Sequence, residues 1–258
     1  MELLMPGKFE DVSTAYGYQR AVFEEVSSGA RPPTISITPS IRHVGVTRRD
    51  TFRPGFDDAV RFADGLGYPV LVRGAGGGAT AADSGTFGFS IIRPAESGGS
   101  RNGIQERYDE AASLALGVFE RLGVTAEVGE VRDEFCPGDH SLRVGGYEDG
   151  MKVVGIAQRL TNRATSVGGI VLVYGEGELA RVLEGVYGAM RLPFRSDTVG
   201  SLHRAGCGAS IEEVIEVFVA EVGTRYGAKP VPLGEGTLES ARRGGVQYLV
   251  SAGASLLS

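Results

Sequence analysis

Three places in this 258-residue sequence hold residue types that covalent chemistry needs. The first is Cys136, in Phe135-Cys136-Pro137-Gly138-Asp139-His140. The Pro-Gly pair puts it at a turn among polar neighbours, outside any apolar run. A thiol in such a place acts as a nucleophile when cations or backbone N–H groups face it. A lone cysteine is as readily a small packing residue, and residue types leave both readings open. The second is Lys152, two residues past Asp149-Gly150. Its ammonium either polarises a carbonyl or stabilises an oxyanion, or it ends a strand with its head in water. The third is Arg73-Gly74-Ala75-Gly76-Gly77-Gly78-Ala79-Thr80, between two apolar segments. Consecutive glycines let a backbone approach a ligand closely and expose its N–H groups. The loop lacks the Gly-Lys-Ser/Thr ending of a phosphate loop, and no helix pattern follows it. Its glycine spacing does not fit a dinucleotide fingerprint either.

Other candidates are weaker. Arg42, Arg48, Arg49 and Arg53 crowd one loop and suit phosphates or an acidic partner, although such runs are more often solvated surface. His43, His140 and His203 are scattered without metal-ligand spacing, so no metal is expected. Cys207, in Gly206-Cys207-Gly208, reads as packing.

Elements that position these residues follow from periodicity. Helices are expected over 9–26, over 56–66 with Gly67 as the stop, from Asn102 to Gly123, and over 176–190. Ser210 with Glu213 predicts a capping box, followed by Ile211, Val214, Ile215, Phe218 and Val222 on one face. Strands are expected over 34–38, 69–73, 86–92, 126–131, 151–157 and 169–174. Asp149-Gly150 predicts a hairpin whose second arm is 151–157, with Lys152 on it sharing a face with Val154, Ile156 and Gln158. The tail from Thr237 is expected to hold a short helix that docks on the core. The order predicts one α+β domain built on a mixed β-sheet flanked by helices. Residues 1–225 are read as a catalytic domain and 226–258 as a C-terminal extension docked on it.

Composition narrows the class. Hydrophobic residues make up 42 % and charged residues 22 %, and the net charge is −6. That balance argues against nucleic acid as a partner. No stretch approaches the roughly 20 apolar residues of a membrane span. The segment Met1–Glu10 carries acid and no long apolar run, so a signal peptide is not expected. Two cysteines are too few for a disulfide framework, and a cytoplasmic setting with reduced thiols is expected. Glycine, at 40 residues, is about twice its usual share. Of 26 basic residues only Lys8, Lys152 and Lys229 are lysines, which singles out a lysine inside an apolar strand.

Together these segments resemble the lipoate-protein ligase and octanoyltransferase superfamily. Arg73–Ala79, with Asp83, Gly85 and Ser90, is similar to its arginine–triple-glycine–alanine motif. Val44-Gly45 with Arg49-Asp50 is similar to the preceding loop. Met151–Arg159 resembles its lysine motif, with Gly155 and the Gln158-Arg159 pair. Cys136-Pro137-Gly138 and Thr198–Leu202 resemble the cysteine-dependent octanoyltransferase branch, especially the amidotransferases that take octanoate from the glycine-cleavage H protein. The likeness runs over roughly residues 10 to 225. It implies the fold shared with biotin-protein ligases and class II aminoacyl-tRNA synthetases. It also implies an acyl thioester on Cys136, passed to the lysine of a lipoyl domain. Lys152 would hold the acyl carbonyl, and Arg73, Gly76, Gly77, Gly78, Ala79, Gly155 and Gln158 would bind substrate. The donor would be an octanoyl or lipoyl carrier, either the H protein or an acyl carrier protein, and no cofactor would be needed. An ATP- and Mg-dependent ligase working through an acyl-adenylate is the alternative, and a non-catalytic carrier-binding paralogue a second. ATP-using ligases often carry histidine where this chain has Ala82, which favours the transferase. The triple glycine with Arg73 is nearer the ligase form. The arginine loop could meet the acidic surface of the carrier.

Overall fold

A computed structural model describes residues 1–95 and 101–253. In chain order the elements are β1 (Glu2–Leu4), α1 (Val12–Ser28), β2 (Thr34–Pro39), β3 (His43–Val46), α2 (Phe56–Gly65), β4 (Val70–Val72), β5 (Thr80–Ala82), β6 (Thr86–Pro94), α3 (Ile104–Arg121), β7 (Glu127–Val128), β8 (Leu142–Val144), β9 (Met151–Leu160), β10 (Ala164–Leu172), α4 (Glu176–Ala189), α5 (Ile211–Tyr226), β11 (Lys229–Val231), α6 (Glu235–Gly245) and β12 (Leu249–Val250). The expected helices form, and their ends follow local chemistry. Asp11 caps α1 by accepting from the Thr14 N–H at 2.7 Å, and Gly29 closes it in the left-handed region. Ser210 and Glu213 make both hydrogen bonds of the capping box, at 3.2 and 2.7 Å.

The strands form the expected mixed sheet flanked by helices, with a second, smaller sheet beside it. An eight-stranded mixed sheet runs β11-β1-β2-β6-β10-β9-β8-β7, and a separate four-stranded sheet runs β12-β4-β3-β5. Only the β11–β1, β1–β2 and β3–β4 pairs are parallel. Strands β1, β3, β5, β11 and β12 have two to four residues each, too short to show an alternation. The strand expected over 126–131 shrinks to β7. β8 and β9 do form an antiparallel pair around Asp149-Gly150, with a shift of register at Leu142/Arg143.

Apolar faces assign each layer its partner. Ile35, Ile37, Phe87, Phe89 and Val167 of the large sheet pack against Ala111, Val118 and Phe119 of α3 and Phe218 and Val222 of α5. The Phe218 ring meets Phe87 edge-on at 5.6 Å. A second core joins Val44, Val46 and Ala81 of the small sheet to α2 and α4 through Val60, Ala63, Leu179 and Val186. α6 lies on α1, where Gly17 and Gly245 allow the close crossing. A Cβ at Gly17 would run into the Ala241 carbonyl, and one at Gly245 into that of Ser13. Among the described residues no helix is long and apolar enough to cross a membrane. The glycine loop joins β4 to β5 in the small sheet, while the cysteine segment joins β7 to β8 in the large one. The two loops meet where the sheets adjoin.

Candidate active site

Cys136 is held at four points. Its φ is +44°, a left-handed conformation that a non-glycine residue adopts only under constraint. Its N–H donates to Tyr187 Oη at 2.6 Å, and its carbonyl accepts from Lys152 Nζ at 2.9 Å. Its Sγ accepts from Arg73 Nη2 at 3.2 Å and from the Gly78 N–H at 3.3 Å. Both peptide groups of the strained residue are thus clamped. A guanidinium and a backbone amide face the sulfur, where negative charge sits in an attacking thiolate.

Lys152 lies on β9 and is 1 % exposed. Its three N–H groups go to Glu134 Oε1, the Phe135 carbonyl and the Cys136 carbonyl, each at 2.9 Å. An ammonium has three donors, so its capacity is used within the cysteine segment. Glu134 is buried too. Its Oε1 also accepts from Ser141 Oγ at 2.5 Å, and its Oε2 from the Val131 N–H at 3.0 Å. The surface lysine weighed from sequence is thus replaced by a buried, fully partnered ion pair. Phe135 stacks beneath the cation, 4.6 Å from its ring centre. Gly155 leaves room for the side chain, since a Cβ there would sit 3.1 Å from Lys152 Cε. The Thr198–Leu202 motif runs beside it, with the Gly200 N–H donating to the Lys152 carbonyl at 2.9 Å.

The glycine loop supplies the other wall. Arg73 Nη2 also donates to the Gly78 carbonyl at 2.7 Å, which closes the loop on itself. Gly77 has φ +103°, and a Cβ there would stand 2.5 Å from Sγ and 2.8 Å from Arg73 Nη2. Only glycine brings the backbone so near the sulfur. Ala79 is buried, and its carbonyl accepts from Tyr187 Oη at 2.8 Å. Gly76, Gly77 and Gly78, with Pro137 and Tyr187, line a cavity of about 410 Å³ that extends to Arg49, Arg53 and Leu192.

The structure therefore brings Cys136, Lys152, Arg73, Gly77, Gly78, Ala79 and Gly155 into one contiguous set. It places Gln158 elsewhere: that amide donates to the Ile104 carbonyl at 2.7 Å and accepts from Arg107 Nε at 2.9 Å, at the start of α3. Cys207 is a buried packing residue, as read from sequence. His140 stacks on Tyr108 with ring centres 3.8 Å apart. Burial, and then the nearby Cys136, raise the Tyr108 phenol above its ordinary value.

Two residues escaped the sequence reading. Tyr187 shares an apolar face of α4 with Leu179, Val182, Leu183 and Val186, where a tyrosine looks like any core aromatic. Burial raises its phenol far above the ordinary value, so it stays a proton donor to Ala79. Glu134 is one acid among many, and only its burial reveals it.

Comparison with known proteins matches residues 11–223 to a family described as the lipoyl protein ligase A/B catalytic domain. An octanoyl-[GcvH]:protein N-octanoyltransferase of Geobacillus kaustophilus is 28 % identical over 171 residues, 66 % of this chain and 58 % of that protein. A lipoyl-[GcvH]:protein N-lipoyltransferase of Listeria monocytogenes is 30 % identical over 143 residues, 55 % of this chain and 49 % of its own length. The chain spans about half the length of the curated relatives it matches. Among solved structures, lipoate-protein ligase A bound with ATP superposes with TM-score 0.69 at 18 % identity, covering 94 % of this chain and 92 % of that one. The bi-partite lipoate protein ligase of Thermoplasma acidophilum gives 0.67 at 16 % identity, over 94 % and 90 %. Both establish a shared fold.

Proposed function

Because this chain belongs to the lipoyl protein ligase A/B catalytic domain family, we propose that it transfers an octanoyl or lipoyl group from a carrier protein to the lysine of a lipoyl domain through a thioester on Cys136. The observation that carries this reading is the sulfur itself, faced by Arg73 Nη2 and the Gly78 N–H on a residue held at φ +44°.

The chemistry runs in two displacements. The Cys136 thiolate attacks the acyl carbonyl of the donor. An S–C bond forms, and the carrier's amine or thiol leaves, taking up a proton. The free amine of the acceptor lysine then attacks the thioester carbonyl. An amide forms, the amine gives up its proton, and the sulfur leaves as thiolate. The acyl bond is exchanged rather than made from a free acid, so no ATP is consumed. Gly77 and Gly78 bring backbone close to the reacting carbon, and the cavity beside them takes the acyl group or the lysine arm. Lys152 works as a positioning residue: it holds the Cys136 carbonyl and Glu134, and so fixes the direction of Sγ. The partners on this reading are the H protein or an acyl carrier protein and lipoyl domains, in the cytoplasm.

The ATP- and Mg-dependent ligase needs Lys152 to contact an acyl-adenylate. That fits poorly with an ammonium whose three donors are already engaged. Intact-protein mass spectrometry separates the readings. Wild type and Cys136→Ala are mixed with octanoyl-H protein or octanoyl-acyl carrier protein without ATP. A hydroxylamine-sensitive octanoyl adduct on wild type alone is the expected result. Transfer only with ATP and free octanoate, undiminished in Cys136→Ala, would overturn it in favour of the ligase. Carrier binding without turnover under either condition would make the chain a binding paralogue.

A further inference from the structure

Resting on the transferase reading, we propose that the turn from Thr47 to Arg53 is the docking surface for the acyl-carrying protein, with Phe52 as its apolar anchor and Arg48 and Arg49 as its charged rim.

Phe52 is a large aromatic left 69 % exposed, in the middle of a turn that is otherwise tightly built. Asp50, 1 % exposed, accepts from the Thr47 N–H at 2.8 Å, from Thr47 Oγ1 at 2.7 Å and from Arg53 Nε at 3.2 Å. Thr51 Oγ1 donates to the Arg48 carbonyl at 2.7 Å. Backbone bonds run from Phe52 N to the Arg49 carbonyl and from Arg53 N to that of Asp50. The exposure of Phe52 therefore comes from a turn held in place, so presenting this aromatic to a partner costs little backbone ordering. Buried aromatics and arginines are the residues that most often dominate interface energies.

The charge is one-sided. The turn's one carboxylate is spent internally on Arg53, while Arg48 and Arg49 are exposed and have no carboxylate partner among the described residues. On a chain of net charge −6 this local excess selects a partner of opposite sign. The position is equally specific. Thr47, Arg49, Asp50 and Arg53 form one end of the cavity whose other end is Gly76–Gly78 and Pro137, the residue after the nucleophile. A protein seated on Phe52 stands at the mouth of the space that leads to the cysteine loop. The partner is thus an acyl-carrying protein with an acidic surface around its acylated arm and an apolar spot beside it.

The experiment pairs binding with acylation. Octanoyl-H protein and octanoyl-acyl carrier protein are titrated onto wild type, Phe52→Ala and Arg48→Glu by biolayer interferometry. Acylation of Cys136 is followed in parallel with each carrier and with octanoyl-N-acetylcysteamine, a thioester with no protein surface to set against Phe52 or Arg48, neither of which lines the cavity. Each variant should weaken carrier affinity about 10- to 50-fold, with acylation by the small thioester unchanged. The loss in Arg48→Glu should shrink in high salt. Unchanged carrier affinity overturns the proposal, as does an equal loss with the small thioester, since the turn would then act through the fold. A dimer in sedimentation that Phe52→Ala dissolves also overturns it, because a second copy would own the surface. Carrier binding that responds to the variants while wild type is never acylated would leave the surface standing and defeat the transferase reading instead.

Discussion

The two loops that meet at the sulfur are held in opposite ways. The cysteine segment is fixed by a buried charged pair, Glu134 with Lys152, and by hydrogen bonds to both peptide groups of Cys136. The glycine loop is fixed by little more than Arg73 and the absence of side chains. Gly74, Gly76 and Gly77 are exposed, and a Cβ at Gly76 would meet nothing within 4 Å. Cys136 is anchored rigidly, whereas the wall opposite is left open. In the proposed reaction that rigidity falls on the attacking atom, where an error of about 1 Å in position can cost two orders of magnitude in rate.

The strongest way to break this contrast is to unpair the anchor. Lys152→Met leaves the Glu134 carboxylate buried without its cation and should cost about 3–5 kcal/mol, read as a fall in urea midpoint. Acylation should be lost with it. The double variant Lys152→Met/Glu134→Gln should recover much of the stability and none of the acylation. Recovery of both would show that the clamp on the Cys136 carbonyl is dispensable.

On the open side the effect should fall on rate rather than fold. Gly77→Ala must adopt φ +103° and place a Cβ against Sγ. We expect about 1–3 kcal/mol of strain and an acylation rate down roughly 100-fold. Gly76→Ala, with ordinary φ and free space, should leave stability within about 0.5 kcal/mol. Equal melting and equal acylation in the two variants would erase the distinction between these glycines.

Tyr187 ties the two loops together, and Tyr187→Phe should have an intermediate effect. It strands the Cys136 N–H and the Ala79 carbonyl and should cost about 1–3 kcal/mol. Acylation should slow about tenfold at an unchanged half-saturating donor concentration, measured by stopped reaction and mass spectrometry.

The smallest effect is one of pH. His43, at the start of β3, is buried against Tyr16, and burial pushes its imidazole below the ordinary value. The unfolded chain then takes up a proton that the folded chain refuses. The stability this histidine contributes is present above about pH 6.5 and is lost as pH falls below it. Wild type should therefore lose more stability between about pH 7 and pH 5 than His43→Gln does, by chemical denaturation. Parallel curves would remove His43 from the account.

The sequence showed the helices and the Cys136–Lys152 neighbourhood more clearly than the architecture. Capping signals at Ser210 and Gly67 and the periodicity of α3 are local, so they survive without tertiary knowledge. Cys136, Lys152 and the glycine loop stood out by residue type and by resemblance. The division into two sheets did not, because β3, β4 and β5 are each three or four residues long and pair through non-local contacts. Glu134 and Tyr187 were illegible for the same reason: their meaning lies in what they touch across the chain. Gln158 shows the converse, a motif residue whose side chain serves the start of α3.

The two short strands near the C-terminus carry a consequence for the order of assembly. β11 pairs Lys229 with Glu2 and β12 pairs Leu249 with Leu71, so each sheet receives an edge strand from the far end of the chain. Such contacts close very long loops, and their entropy must be met before they return anything. During synthesis the outer edge of β1 stays open until residues 229–231 have emerged, and an open strand edge is where a nascent chain recruits the wrong neighbour. The cysteine segment takes its anchors from Arg73, Gly78, Glu134, Lys152 and Tyr187, all earlier in the chain than β11, so it can take shape before that edge is sealed.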